Sequence, residues 1–157
     1  MRRILVTGMS GTGKSTVLAE LAKRGFATVE TDVEPWSEWS DEAGGYVWNE
    51  ALVEELLDRE HETTLFVSGT VSNQGRFYDR FDAVVLLSAP ADVLLERIDA
   101  RTANRFGKSA EERERILEDL AEVEPLLRAT CTHEIDASRP LDDVVDALVA
   151  IGRSSKG

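Results

Sequence analysis

Short apolar runs alternate along the chain with segments whose apolar residues recur at helical spacing. The first run, RILVT at residues 3–7, predicts a buried strand, and Val17, Leu18 and Leu21 then mark one face of a helix. Further strands are predicted at residues 26–30, 63–68, 82–88 and 132–136. Helices are predicted at residues 14–24, 49–59, 90–101 and 109–125 and after Pro140, whereas residues 31–48 are predicted to be irregular. Because alternating strands and helices form βαβ units, the pattern predicts one α/β domain with a parallel sheet and helices on both faces.

Length and charge narrow the class of protein. The 157 residues fit one domain, and no apolar stretch approaches the ~20 residues that a membrane-spanning helix needs. The net charge of −12 disfavours binding to nucleic acid or to an anionic membrane surface, so the expected partner is a small molecule. The N-terminus lacks the apolar core of a secretory signal, and the chain is therefore predicted to be cytoplasmic. The oligomeric state is left open.

A glycine-rich phosphate-binding motif follows the first predicted strand. Residues 8–15, GMSGTGKS, match G-x-x-x-x-G-K-[ST] at every fixed position, between a strand and a helix. Backbone N–H groups and the positive end of the helix are suited to hold the phosphates of ATP. Lys14 is expected to bridge the β- and γ-phosphates, and the Ser15 hydroxyl to coordinate Mg²⁺. The predicted nucleotide contacts from this segment are Gly8, Met9, Ser10, Gly11, Thr12, Gly13, Lys14, Ser15 and Thr16.

With this motif in place, the chain resembles the small P-loop kinases, the group of shikimate kinases, gluconate kinases and nucleoside monophosphate kinases. The resemblance rests on the nucleotide loop, an arginine-bearing segment after the fourth strand and the sequence DASRP at residues 136–140. It implies a five-stranded parallel sheet in the order 2-3-1-4-5, a short lid at residues 101–109 and an acceptor-covering flap at residues 31–60. Residues 1–152 then form the kinase domain, and residues 153–157 form a flexible tail.

Kinases of this group keep an acidic residue after the second strand, and the resemblance assigns that place to Asp32. Ligands of open parallel sheets lie at the carboxyl ends of the strands, where an aspartate can hold a Mg²⁺-bound water or accept a proton from the acceptor hydroxyl. Both roles stay open. The third strand ends without a Walker-B carboxylate, and Ser68 and Thr70 offer hydroxyls to a metal-bound water there. Gly69 resembles the glycine at which the acceptor approaches this strand, although a plain turn explains it too.

Three arginines after the fourth strand are candidates for contact with the nucleotide. Arg97, Arg101 and Arg105 are spaced four residues apart, so on a continuous helix they lie along one face. We expect Arg97 near the adenine and the other two on the transferring phosphate, where they offset charge in the transition state. Salt bridges to neighbouring glutamates are the alternative. Arg139 is expected to lie over the base.

The segment expected to cover the acceptor is acidic and aromatic. Residues 31–58 contain nine Asp or Glu and no Lys or Arg, which makes a poor site for a monophosphate. Trp36 and Trp39 suit a planar base, a sugar face or a cation, unless the tryptophans pack the flap onto the core. The other predicted substrate contacts are Gly69, Asn73 and Arg76.

Together these features predict a kinase that uses ATP and Mg²⁺ to phosphorylate a hydroxyl of a small neutral or cationic metabolite, such as a nucleoside, a sugar or an amino sugar. The predicted catalytic residues are Lys14, Asp32, Arg101 and Arg105, and the predicted metal ligands are Ser15 and Asp32. One alternative is a nucleoside monophosphate kinase whose phosphate grip comes from Arg76 and Arg80. Another is an NTP-binding switch without small-molecule transfer, although such a switch usually needs a Walker-B acid.

Overall fold

The apolar runs of the chain become the strands of one sheet, with helices between them. The computed structural model describes residues 2–9, 11–100 and 110–153. The strands are β1 (Arg3–Thr7), β2 (Ala27–Glu30), β3 (Ser37–Ser40), β4 (Gly45–Trp48), β5 (Leu65–Ser68), β6 (Ala83–Ser88) and β7 (His133–Asp136). The helices are α1 (Lys14–Lys23), α2 (Glu50–Asp58), α3 (Ala91–Asp99), α4 (Ala110–Glu122), α5 (Glu124–Thr130) and α6 (Leu141–Arg153), with a 3-10 helix at Gln74–Arg80.

Five strands pair in parallel in the order β2-β5-β1-β6-β7. Counted among these five alone, this is the order 2-3-1-4-5, so the predicted fold class is confirmed. The residues of β5 are all buried, as expected for a strand covered on both faces. Ser68 lies in register with Val6 of β1 and with Glu30 of β2. The loops that follow β1, β2 and β5 therefore begin side by side, and this edge of the sheet holds the candidate site.

The two faces of the sheet bury separate apolar clusters. Because successive side chains of a strand point to opposite faces, Ile4 and Val6 pack with residues of α1 and α6, whereas Leu5 packs with residues of α2. Trp48 is the largest side chain in the second cluster and is 1% exposed. The hairpin that carries Trp48 is thereby fastened to the face of the sheet next to β5.

Helix ends agree with the sequence in most places. The Asn49 side chain caps α2 by accepting from Leu52 N–H at 3.2 Å, and Gly25, with φ 96°, follows α1. The helix predicted at residues 109–125 is α4, which ends at Glu122. Pro125 lies in the first turn of α5, a helix that the sequence did not predict, because proline is favoured in a first turn and disfavoured in a helix interior. Arg153, predicted to lie in the tail, is the last residue of α6.

The segment predicted to be irregular, residues 31–48, contains an antiparallel hairpin. β3 pairs with β4, so that Trp39 lies opposite Tyr46. Gly44, with φ 72°, makes the turn, and its N–H donates to Ser40 O at 2.9 Å. The prediction was wrong because each strand has only four residues, some of them polar, and so short an alternation does not stand out in the sequence.

Within the three described ranges, every helix is too short or too polar to cross a bilayer.

Candidate active site

The glycine-rich loop curls between β1 and α1 as its motif predicts. Gly11 has φ 88°, and a Cβ atom there would lie 2.8 Å from Leu94 O, so this position accepts no side chain. Thr12 closes the loop on itself, since its hydroxyl donates to Met9 O at 2.9 Å. The first turn of α1 contains no acidic residue of its own that would oppose a phosphate at the positive end of the helix. Ser10 lies outside the described residues.

Lys14 and the two hydroxyls after it lie at the start of α1. Lys14 Nζ donates to Gly8 O at 2.5 Å, which folds the ammonium group back over the loop. Ser15 and Thr16 are exposed in the first turn of the helix. The structure thus brings the predicted phosphate-binding lysine and the predicted Mg²⁺-binding hydroxyl to one end of one helix.

A cleft of about 330 Å³ lies beside the loop, where the base of a nucleotide is predicted to bind. Its walls include both arginines assigned to the base, Arg97 and Arg139. Arg97 donates to Gly11 O and Thr12 O at 3.4 Å and to Ala137 O at 2.5 Å. Arg97 therefore ties the phosphate loop to the segment after β7, in addition to lining the cleft.

Asp32 follows β2 at the shared edge of the sheet. Its Oδ1 accepts from Thr70 N–H at 3.3 Å, and Lys14 interacts with it electrostatically. The side chain reaches solvent, yet the loss of water around the carboxylate raises the pKa of Asp32, against the opposing effects of Lys14 and of the Thr70 N–H. A carboxylate with a raised pKa near a phosphate-binding lysine has the chemistry of a general base.

Gly69 is packed against the base of the hairpin. A Cβ atom on Gly69 would lie 2.4 Å from Thr31 Oγ1 and 3.1 Å from two atoms of the Trp48 indole. Thr31 Oγ1 donates to Ser68 O at 2.5 Å and accepts from Trp48 Nε1 at 2.7 Å. This packing gives the glycine a structural reason, and the approach of an acceptor to Gly69 stays a prediction.

Asn73 holds the backbone of the hairpin. Its Oδ1 accepts from Trp48 N–H at 2.9 Å, and its Nδ2 donates to Trp48 O at 3.1 Å and to Glu50 Oε2 at 3.0 Å. The amide predicted to reach acceptor hydroxyls is therefore engaged in positioning Trp48. Its role as a substrate contact stays a prediction.

The predicted aromatic contacts differ in their surroundings. Trp36 is half-buried and packs against the core on the α2 side, as the alternative interpretation expected. Trp39 is 58% exposed and meets Tyr46 edge to face, with ring centroids 5.4 Å apart. Trp39 Nε1 donates to Asp41 Oδ1 at 2.6 Å. Only Trp39 of this pair of tryptophans offers an open ring face to a ligand, and its contact with substrate stays a prediction.

The predicted lid at residues 101–109 lies outside the described part of the chain, and so do the two arginines assigned to the transferring phosphate. Arg101 and Arg105 therefore remain predictions from the sequence.

Sequence reasoning missed the hydrogen bonds that join β1, β5 and the phosphate loop. Thr7 and Gln74 are 0% and 2% exposed, and both belong to this set of bonds together with Thr70. The sequence suggested that the Thr70 hydroxyl orients a metal-bound water, but that hydroxyl bonds to Gly8 instead. No local pattern marks these residues, because a buried glutamine is recognised only once its partners are known.

Comparison with known proteins defines the class of this fold and site. The chain matches the AAA domain family over residues 4–118. It is 28% identical to shikimate kinase 2 of Yersinia enterocolitica over 94% of each chain. It is 31% identical to a putative adenylate kinase of Archaeoglobus fulgidus, over 98% of this chain and 83% of that protein. The structure of shikimate kinase from Acinetobacter baumannii in complex with shikimate aligns with a TM-score of 0.69 at 19% identity, covering 96% of this chain and 92% of that one.

The chain therefore belongs to the AAA domain family of P-loop proteins. Within it, the protein is a small P-loop kinase, an enzyme that binds a nucleotide and phosphorylates a small molecule. The predicted resemblance and the predicted enzyme class are confirmed. The alternative of a switch without small-molecule transfer has no support among these relatives.

Proposed function

We propose that this kinase transfers the γ-phosphoryl group of Mg²⁺–ATP to a hydroxyl of a small neutral or cationic metabolite, such as a nucleoside, a sugar or an amino sugar. The observation that carries the proposal is the pairing of two arginines that follow β5 beside the predicted acceptor site. Arg76 Nη1 lies 3.2 Å from Glu50 Oε2, and Arg80 Nη2 lies 2.5 Å from Asp58 Oδ1. A monophosphate acceptor would need these arginines, yet carboxylates of α2 already neutralise both. An acceptor without a phosphate needs neither.

The space around Arg76 supports the same conclusion. A cleft of about 620 Å³ lies between the hairpin and the loop after β5. Glu42 and Glu50 line it together with Arg76, so its charged walls carry more negative than positive charge. Ser40, Ser72 and Asn73 are the uncharged polar residues of its lining. Such walls suit hydroxyl or ammonium groups better than a phosphate.

In the proposed reaction, the oxygen of the acceptor hydroxyl bonds to the γ-phosphorus of ATP while Asp32 accepts the hydroxyl proton. The bond between the γ-phosphorus and the β-phosphate oxygen breaks, and ADP leaves with that oxygen. The raised pKa of Asp32 strengthens the carboxylate as a base. Lys14 and the loop N–H groups hold the phosphates and offset their charge. Arg97 and Arg139 line the cleft that is proposed to hold the base. Arg101 and Arg105 are proposed to cover the γ-phosphate.

Ser15 and Asp32 are the residues proposed to hold Mg²⁺. Both present oxygen donors, which this ion prefers, and Ser15 is exposed at the start of α1. No group of three or more acidic, histidine or cysteine side chains forms a metal cage within the described ranges. The two oxygen donors of Ser15 and Asp32 fit Mg²⁺, because this ion keeps several waters and binds one or two protein groups plus substrate phosphates. When bound, the ion neutralises charge on the phosphates of ATP.

A nucleoside monophosphate kinase is the second candidate function. The observation that favours it is the 31% identity to the putative adenylate kinase of Archaeoglobus fulgidus. The Arg76 side chain is 73% exposed, so its ion pair contributes little and can be exchanged for a phosphate.

ADP release with paired acceptors distinguishes the two candidates. Each nucleoside is compared with its own monophosphate, and sugars and amino sugars are included. We expect release above the slow basal rate with water only when an uncharged or cationic compound is added, and we expect Arg76→Gln to keep kcat/KM within about threefold, as for other exposed ion pairs. Arg59→Gln is the matched control, because Arg59 also pairs with a carboxylate of α2, that of Glu55, at 3.5 Å. Turnover of a monophosphate that Arg76→Gln abolishes and Arg59→Gln preserves would establish the second candidate instead.

A further inference from the structure

The end of β5 is tied to the phosphate loop by hydrogen bonds that centre on one hydroxyl. Thr70 Oγ1 donates to Gly8 O at 2.7 Å and accepts from Gly8 N–H at 3.3 Å. The proton of Thr70 is thereby used, so the 3.1 Å contact with Thr7 Oγ1 is one in which Thr7 donates. A hydroxyl has one proton and two lone pairs, and all three are engaged. The Thr70 side chain is therefore held in one orientation.

Thr7 and Gln74 are buried polar residues whose hydrogen bonds support this orientation of Thr70. Gln74 Nε2 donates to Thr7 Oγ1 at 3.1 Å and to Tyr78 OH at 3.0 Å. Gln74 Oε1 accepts from Val71 N–H at 3.0 Å. A buried primary amide is costly unless its groups are hydrogen-bonded, and here the bonds run directly to the residue that orients Thr70.

The backbone of Thr70 contacts the acceptor side of the site. Its N–H donates to Asp32 Oδ1 at 3.3 Å. On the other side, the Gly8 carbonyl that takes the Thr70 proton also accepts from Lys14 Nζ. One residue thus touches both the proposed base and the loop that carries the phosphate-binding lysine.

We propose that Thr70 is a positioning residue for phosphoryl transfer, which sets the distance between the Asp32 carboxylate and the phosphate loop. This inference rests on the proposed function in one respect, the role of Asp32 at the acceptor. In-line transfer requires the reacting groups to be aligned, and a misplacement of about 1 Å costs on the order of 100-fold in rate. The end of β5 has no carboxylate, and Thr70 there reaches the phosphate loop with its side chain and Asp32 with its backbone N–H.

A pair of substitutions isolates the hydroxyl. Thr70→Val removes it but keeps the shape and the N–H, whereas Thr70→Ser keeps the hydroxyl. The probe is Mg²⁺–ATP with water as acceptor, read as ADP release, so the test needs no identified metabolite. We expect Thr70→Val to lower kcat by about 10- to 100-fold. We expect its calorimetric Kd for Mg²⁺–ATP to stay within about threefold of wild type and Thr70→Ser to restore kcat, since only alignment is lost.

Thr63→Val is the matched control, because the Thr63 hydroxyl also accepts from a backbone N–H, that of Ala27, but at the opposite end of β5. It should leave kcat unchanged. Wild-type kcat in Thr70→Val would overturn the proposal. Equal losses of kcat, Mg²⁺–ATP affinity and thermal stability in Thr70→Val and Thr70→Ser would also overturn it, because they would show general damage to the loop.

Asp32→Asn in the same assay separates this inference from the proposed function. Full activity of Asp32→Asn would refute the role of Asp32 and overturn its link to Thr70. Reduced activity of Asp32→Asn beside an unaffected Thr70→Val would refute the positioning role alone.

Discussion

Gly69→Ala tests the packing at the base of the hairpin, because the space for a side chain at this position is occupied. A Cβ atom at position 69 would lie 2.4 Å from Thr31 Oγ1, far inside van der Waals contact. Thr31 cannot simply turn away, since its hydroxyl bonds to Ser68 O and to the indole of Trp48. The indole is itself fully buried. The substitution therefore forces the hairpin away from β5.

The expected loss follows from these contacts. Overpacking of a close-packed site costs about 1–3 kcal/mol. Loss of the hydrogen bond between Thr31 and Trp48 adds about 1 kcal/mol. We therefore expect Gly69→Ala to lower the free energy of unfolding by about 2–4 kcal/mol, which lowers Tm by roughly 5–15 °C for a domain of this size.

Thermal unfolding followed by circular dichroism measures the effect, with Gly75→Ala as the matched control. Apart from its two chain neighbours and the backbone of its own turn, no atom of the described residues lies within 4 Å of the position that a Cβ on Gly75 would take. That control should raise the free energy of unfolding slightly, by less than about 1 kcal/mol, through the unfolded state. A wild-type Tm for Gly69→Ala would refute the packing of Thr31 and Trp48 on this glycine. It would restore acceptor approach as the reason for a glycine there.

Three further variants test the site and its surroundings. Lys14→Met should keep the wild-type Tm but lower ADP release by about 1,000-fold or more, and a smaller loss would contradict the role of Lys14. Burial raises the pKa of Asp32, so above that pKa its charge destabilises the fold. Asp32→Asn should therefore raise Tm at neutral pH, and this gain should disappear as the pH falls below the raised pKa; melts showing a pH-independent difference would refute this. Arg128→Met should lower the free energy of unfolding by about 1–2 kcal/mol in urea, because the buried Glu124 carboxylate loses its 2.8 Å partner, and an unchanged midpoint would be contrary to that expectation.

Features set by local sequence could be predicted. The glycine-rich loop is a contiguous motif, and the strands of the sheet are apolar runs bounded by polar residues, so both were evident without a structure. The resemblance to the small P-loop kinases assigned Asp32, and its place beside Lys14 agrees with the rule that ligands lie at the carboxyl ends of parallel strands. The register of β2, β5 and β1 brings the loop after β2, which carries Asp32, to the same edge of the sheet as the glycine-rich loop after β1.

Features set by contacts between distant segments could not be predicted. Trp48 is buried because Thr31 and Asn73, which are 17 and 25 residues away in the sequence, supply partners for its indole and backbone. Nothing in residues 31–48 distinguishes this tryptophan from the exposed Trp39. The same holds for Thr70, whose partners at Gly8 are 62 residues away.

Phosphorus NMR of the reaction product tests most directly whether the phosphoryl group is transferred to a hydroxyl. The purified enzyme is incubated with Mg²⁺–ATP and with the compounds that stimulate ADP release. We expect a phosphomonoester signal that grows together with ADP and is absent with Lys14→Met. A new phosphoanhydride signal, formed from a nucleoside monophosphate while no phosphomonoester appears, would contradict transfer to an uncharged acceptor.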